Sequence, residues 1–377
     1  MLTNRLGLVL LMLSATIALT ACVKSAEPRE IPAFASADPT VTPEVLNFSN
    51  AHFTERNEVS HDSRLEWWYH SGHLVTESGW EFGFHFSLFK SDVDSLGTVG
   101  SQNFVAQLGV LDVQTGEHYE TSRAQAGARA VGDAPMTLGI ADWAYGVLPN
   151  GGAHMIAAFG DEIGLELVTK STTPVMLHNE IGWLPTEAGA TYYYTWPRQD
   201  TAGELTLNGE TFNVTGVSWF DHQWGDFFVL GKPAGWQWFA LQLDDGGSLM
   251  ITESRGIDGE IVDTYGTYMS SLGEVRALTQ AEDGIALKAI SEWTSPETGG
   301  VYPSGWLLTV DSLALDVVID PVVDEQEVQG GLPAASTYWE GKSRISGRQN
   351  GEPIGGNAYV ELSGYVDPDP IEWIQRR

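Results

Sequence analysis

From about Val45 onward, apolar and polar residues alternate in short runs broken by Gly, Asn-Gly and Asp-Gly, and this period of two predicts many antiparallel strands. The clearest run places Trp80, Phe82, Phe84, Phe86 and Leu88 on one strand face and Glu81, Gly83, His85 and Ser87 on the other. Helical periodicity finds room only for short pieces, at Leu272–Leu278 and Asp320–Gln329.

The strand pattern occurs twice. EWWYHSGHL around Trp67 is followed by GWEFGFHFSLF, and GWQWFALQL around Trp236 is followed, after Asp245-Gly246-Gly247, by SLMITES. The two halves also end alike. Tyr194-Thr195-Trp196, Asn208-Gly209, Gly216 and Trp219 parallel Tyr338-Trp339, Asn350-Gly351, Gly355 and Tyr359. The predicted boundary falls at Gly231-Lys232-Pro233, giving units over 46–231 and 232–377. So many strands escape exposed edges by closing on themselves, and a barrel of about eight strands can enclose one small ligand. The expected fold is therefore all-β, with two tandem antiparallel barrels. Stacked immunoglobulin-like sandwiches are the competing all-β arrangement, but the many aromatics able to point inward favour a cavity.

The start of the chain changes the picture of where the protein works. Arg5, an uncharged apolar run from Leu6 to Leu19, and Leu19-Thr20-Ala21-Cys22 have the layout of a bacterial lipoprotein signal over 1–22. Cys22 is the chain's one cysteine, and its thiolate would take up the lipid. Residues 23–45, with Pro28, Pro32, Pro39 and Pro43, read as an extended linker. The expected location is the bacterial cell envelope, exported and held at a membrane by the lipid. Loss of the signal removes one positive charge, Arg5, and moves the net charge from −31 to −32. So acidic a surface excludes nucleic acid as a partner. The oligomeric state is not legible.

Four clusters carry candidate chemistry: Glu66-Trp67-Trp68-Tyr69 with His70 and His73; Gly216 to Gly225, holding Trp219, Asp221, His222 and Trp224; Trp236-Gln237-Trp238 with Glu253 and Arg255; and Tyr338-Trp339-Glu340-Gly341. On a strand His70 and His73 point to opposite faces, so they make no zinc site, and neither metal nor cofactor is expected. Gly216-Val217-Ser218-Trp219-Phe220 lacks the second glycine of a nucleophile elbow, which argues against a serine hydrolase. Glu66 has a structural reading as well, paired with a buried arginine such as Arg255. Asp221 and His222 are consecutive and would act as one unit only in a bulge or turn.

At these clusters, and at the closing Tyr359-Val360-Glu361-Leu362-Ser363-Gly364-Tyr365, the chain resembles the family joining carotenoid 1,2-hydratases, AttH-like proteins and bacterial predicted secreted hydrolases. The resemblance spans Glu66 to Tyr365 and implies two lipocalin-like domains. It also implies hydratase chemistry, in which an isolated isoprenoid double bond is protonated and water captures the carbocation. His222-Gln223-Trp224 corresponds to a His-x-Trp pair associated with the hydratases. Their Tyr-x-Asp pair is not evident downstream, where Leu249-Met250-Ile251-Thr252-Glu253 stands instead.

The sequence thus leads to a lipid-anchored protein that binds a hydrophobic, isoprenoid or lipid-like molecule. It would act either as a hydro-lyase or as a carrier without catalysis. The expected site lies between the barrels, with His222 and Asp221 as catalytic groups. Its ligand-binding residues would be Glu66, Trp67, Tyr69, His73, Trp219, Trp224, Gln237, Trp238, Glu253 and Arg255.

Overall fold

The computed structural model describes residues 60–61, 63–93, 99–126, 136–148, 152–186, 189–227, 235–256, 258–329 and 337–366. The signal with Cys22, the linker and the boundary at Gly231-Lys232-Pro233 lie outside them.

The described chain is almost entirely strand. The first sheet holds β1 (Leu65–Val75), β2 (Glu81–Val93), β3 (Val99–Asp112), β4 (His118–Ala126), β5 (Thr137–Ile140), β6 (Trp143–Val147), β7 (Ala153–Phe159), β8 (Ile163–Ser171), β9 (Met176–Leu177), β10 (Trp183–Thr186), β11 (Gly189–Leu207) and β12 (Glu210–Phe227). The second holds β13 (Gly235–Leu243), β14 (Ser248–Arg255), β15 (Ile261–Met269), β16 (Val275–Thr279), β17 (Ile285–Thr294), β18 (Val301–Val310), β19 (Leu315–Pro321), β20 (Glu327–Val328), β21 (Tyr338–Gln349) and β22 (Glu352–Ser363). Every pairing is antiparallel, and both sheets belong to one compact unit. In the first, the order β4-β3-β2-β1-β12-β11-β8-β7-β6-β5 curls until β4 meets β5. The second runs β16-β15-β14-β13-β22-β21-β19-β18-β17. The fold is the expected one: two curled antiparallel sheets forming a barrel and half-barrel.

The internal repeat is visible in the strand order. The centre of the first sheet, β2-β1-β12-β11-β8, has its counterpart in β14-β13-β22-β21-β19. The long hairpins β11–β12 and β21–β22 both turn on Asn-Gly. Asn208 (φ 50) with Gly209 (φ 81) and Asn350 (φ 53) with Gly351 (φ 81) supply the paired positive φ values that such a two-residue turn requires.

Two helical expectations are corrected. Leu272–Leu278 leads into β16, and Asp320–Gln329 ends β19 and forms β20. The short helix is α1 (Gln280–Asp283), with Thr279 as N-cap and Gly284 as a left-handed C-cap, and a 3-10 turn spans Asp311–Leu313.

Alternation in β2 explains where the core sits. Phe82, Phe84, Phe86 and Leu88 are fully buried inside the first barrel. Each contributes about 1.5–3 kcal/mol by leaving water. The polar face is buried too: His85 is 0% and Ser87 1% exposed. That face meets the second sheet, so the central strands have no solvent side, and the seam between the sheets collects the polar residues that an isolated barrel would show to water.

Candidate functional site

Within β1 and β12 the register is unbroken, Trp68 opposite His222 and Tyr69 opposite Asp221. No bulge brings Asp221 and His222 together; the register shift in this region is in β11, between Trp196 and Gln199. Consecutive residues therefore face opposite ways, and the candidate residues divide among three places rather than one site between the barrels.

Glu66, His222 and Trp224 point into the first barrel. Glu66 is fully buried and accepts from Lys90 Nζ (2.9 Å), His222 Nε2 (3.0 Å), His61 Nδ1 (2.8 Å) and Ser60 Oγ (3.1 Å). His222 Nδ1 lies 3.0 Å from the Tyr194 hydroxyl. Trp68 stacks on His222 at 5.0 Å, and His61 stacks on Trp224 at 3.9 Å. Burial works to raise the Glu66 pKa, but the hydrogen bonds and charge of His222 and His61 outweigh it and hold the carboxyl well below its usual range. Its buried cation is Lys90, directly opposite on β2, not Arg255. His61, Glu66 and His222 do offer three ligand atoms within 4.8 Å of one another, a set able to hold a metal ion that the spacing of His70 and His73 did not reveal. The same carboxylate is already charge-balanced by Lys90, so the network is complete as a structural ion pair. Removing one partner of such a pair costs about 3–5 kcal/mol.

Gln237, Glu253 and Arg255 belong to the second sheet's own interior. Gln237 donates to Glu253 Oε2 (3.2 Å) and accepts from the core Trp306 indole (3.3 Å). Arg255 lies 3.9 Å over the Tyr365 ring.

The third group occupies the seam. Trp67, Tyr69, Trp219 and Trp238 belong to one apolar cluster there, with Ala240, Met176, Met250 and Met269. Trp238 meets Tyr69 (5.3 Å) and Trp219 (6.1 Å) edge to face. His73 lies on the same β1 face, its ring 5.9 Å from Tyr359. Asp221, 3% exposed, accepts from Tyr193 (2.5 Å), the Trp219 indole (2.7 Å) and Thr195. Opposite it in the repeat is Glu361, which lies between Trp238 and Glu340 in the ladder as Asp221 lies between Tyr69 and Thr195.

Glu340 completes this set. It is 1% exposed, accepts from Tyr69 (2.5 Å) through Oε1, and has no partner for Oε2 among the described residues. None of the three carboxyls joins a salt bridge among those residues. Burial pushes Asp221 from 3.8 up to about 7 and Glu361 from 4.5 up to about 7, the latter helped by the charge of Asp221. Burial, then the charge of Glu361, drives Glu340 well above its ordinary value and favours its neutral form. The sequence flagged Tyr338-Trp339-Glu340-Gly341 without a role. Aligning Asp221 with Glu361 through the repeat was the signal that could have supplied one.

A family model described as AttH-like matches residues 44–365. The crystal structure of an AttH candidate from Nitrosomonas europaea is similar with TM-score 0.74 and 27% identity, covering 87% of this chain and 100% of that one. Kievitone hydratase from Nectria haematococca shares the fold with TM-score 0.66 and 18% identity, covering 84% of this chain and 96% of its own. No curated protein matches the chain.

The raised carboxyls give a stability test with a defined sign. Between 4.5 and about 7 the folded chain keeps a proton on Glu361 that the unfolded chain has released, so this group's contribution to stability falls as pH rises through that window. Glu66 has the opposite sign, its contribution present above 4.5 and lost as pH falls toward its depressed folded value. Buried histidines such as His178, pushed down to about 3 by burial, also favour the fold as pH rises. The readout is therefore the difference between variant and wild type. Glu361→Gln should gain on wild type by about 1–2 kcal/mol from pH ~5 to ~8 in thermal or urea unfolding, allowing for the partial exposure of Glu361. A difference that stays flat, or moves the other way, contradicts the assignment.

Proposed function

This chain belongs to the AttH-like family, and from that premise we propose that it is a hydratase, adding water across a C=C bond of an isoprenoid or lipid-like molecule held in the seam between the two sheets. The observation that carries the reading is Glu340, a buried carboxyl whose Oε2 has no partner among the described residues, whose burial favours the neutral form, and which shares the seam with an aromatic and methionine wall. The fold shared with kievitone hydratase is compatible with such chemistry.

The step balances without a cofactor. Glu340 Oε2 gives its proton to the less substituted alkene carbon as the π pair forms the new C–H bond. Positive charge develops on the other carbon, where the faces of Tyr69 and Trp238 stabilise it. A water lone pair then forms the C–O bond, and Glu361, with its value near 7, takes the proton that this water loses. Glu361 lies directly opposite Glu340 in the β21–β22 ladder, so the proton returns over one strand spacing. The methionines of the wall adapt to an irregular apolar ligand. His222 and Glu66 stand on the other face of the sheet and, in this reading, hold the first barrel together.

Incubation with prenylated alkenes in H2(18)O, followed by mass spectrometry, tests this reading. Wild type should yield an 18O-labelled water adduct. Glu340→Gln should slow it by about 100-fold or more, and His222→Ala should slow it less. Adduct formation that needs His222 but not Glu340 would move the chemistry into the first barrel. Ligand returned unchanged by wild type would make the protein a carrier.

The reading includes attachment at the envelope through Cys22, supported by the lipoprotein-type signal before it. Metabolic labelling with a palmitate analogue should mark wild type and not Cys22→Ser; equal labelling would sink the anchor.

A further inference from the structure

The seam face of the first sheet can be read as two neighbouring rows running across its strands. One row is Gln107, Ser87, Tyr69, Asp221 and Thr195; the other, two residues along, is Gly109, His85, Ser71 and Trp219. The Asp221–Trp219 end of both rows is the aromatic and methionine wall. The other end is polar, and there hydrogen-bonding capacity goes unused. His85, 0% exposed, has no partner for either ring nitrogen among the described residues; the same holds for Ser71 Oγ, His118 Nε2 and Glu340 Oε2. Leaving a buried polar atom unpaired is costly to the fold. A group of them around one spot therefore marks a place built to receive polar atoms.

The backbone is shaped for the same purpose. A Cβ on Gly109 would come within 2.2 Å of His85 Cε1, so the glycine is what lets the imidazole lie across β3 toward His118, whose ring is 6.4 Å away. Tyr338 donates to Gln107 Oε1 (3.0 Å), fixing the neighbouring amide. Burial pushes His85 well below its ordinary value and His118 down to about 4, so both rings are neutral; His85 offers one donor and one acceptor, and His118, bonded to the Glu327 backbone, offers Nε2 alone. A negatively charged group would meet the same loss of water that pushes Asp221, Glu340 and Glu361 toward their neutral forms. An ammonium could accept nothing from an imidazole N–H. A hydroxyl both donates and accepts without charge, and fits.

We infer that the seam takes an amphipathic alcohol, with its hydroxyl on His85 at the polar end, its hydrocarbon body over Trp219, Trp238 and the methionines, and the alkene between them at Tyr69 and Glu340. This names the substrate class of the proposed hydratase and rests on that reading. The order along the rows sets the spacing: hydroxyl and reacting carbon sit one to two strand spacings apart, about 5–10 Å.

Three probes of one skeleton separate the possibilities: farnesol, farnesene and farnesoic acid, titrated at neutral pH by tryptophan fluorescence. Farnesol should bind about 10-fold tighter than either of the others, the value of one well-placed hydrogen bond to a buried partner. His85→Phe should erase that preference while leaving farnesene affinity within about two-fold. Gly109→Ala, which displaces the ring instead of replacing it, should do the same and serves if the first variant does not fold. Equal affinity for farnesol and farnesene in wild type, tightest binding of the acid, or a preference that survives both variants overturns the head-group assignment and leaves the seam as the binding site. Absence of saturable binding by all three, or binding unchanged in Trp238→Ala, overturns the seam reading itself.

Discussion

The withdrawal of three carboxyl groups from water between two sheets, Asp221 and Glu340 buried and Glu361 partly so, with no cation in ion-pair contact among the described residues, is the constraint on which the rest of this structure turns. Asp221, Glu340 and Glu361 lie where β1, β12, β21 and β22 face one another, and each is pushed toward its neutral form by loss of water. A fold tolerates such a group only when it is protonated, hydrogen-bonded or matched by a ligand. Asp221 has three donors, Glu340 has one, and that asymmetry separates an anchored carboxylate from an available acid.

The first barrel shows the other outcome for a buried acid. Glu66 is as deeply buried as Glu340, yet Lys90, His61, His222 and Ser60 all bond to it. Charge and hydrogen bonds are closed there, and the network fixes strands β1, β2 and β12 to one another. Two buried acids, Glu66 inside the first barrel and Glu340 on the second sheet where it meets Tyr69, thus serve opposite ends, one locking the scaffold and one held ready. The difference arises from what stands opposite in the ladder: Lys90 for Glu66, Glu361 for Glu340.

Much of this was legible in the residues. Period-two patterning and the duplicated Asn-Gly hairpins carried the fold, because turn chemistry and alternation are local properties. Alternation also foretold that Asp221 and His222 part company without a bulge. Pairing was harder. Nothing local says that Lys90 rather than Arg255 meets Glu66, since that depends on which strand lies beside β1. Glu340 and His85 were missed for a related reason: both lie on faces that an isolated barrel would expose, and only the docking of a second sheet makes them buried and unpaired. The short helices were displaced because Thr279 and Gly284 supply caps around Gln280–Asp283, while Val275–Leu278, Asp320–Pro321 and Glu327–Val328 are taken up in strand ladders.

The central claim is the protonation state of Glu340, and infrared spectroscopy reads it directly. At neutral pH the spectrum of Glu340→Gln, subtracted from that of wild type, should leave the carbonyl stretch of one protonated carboxylic acid, present without ligand and persisting above the pH at which exposed carboxyls have ionised. A difference spectrum holding only carboxylate bands would mean that Glu340 is charged in the folded protein, and the seam would then have no acid to give.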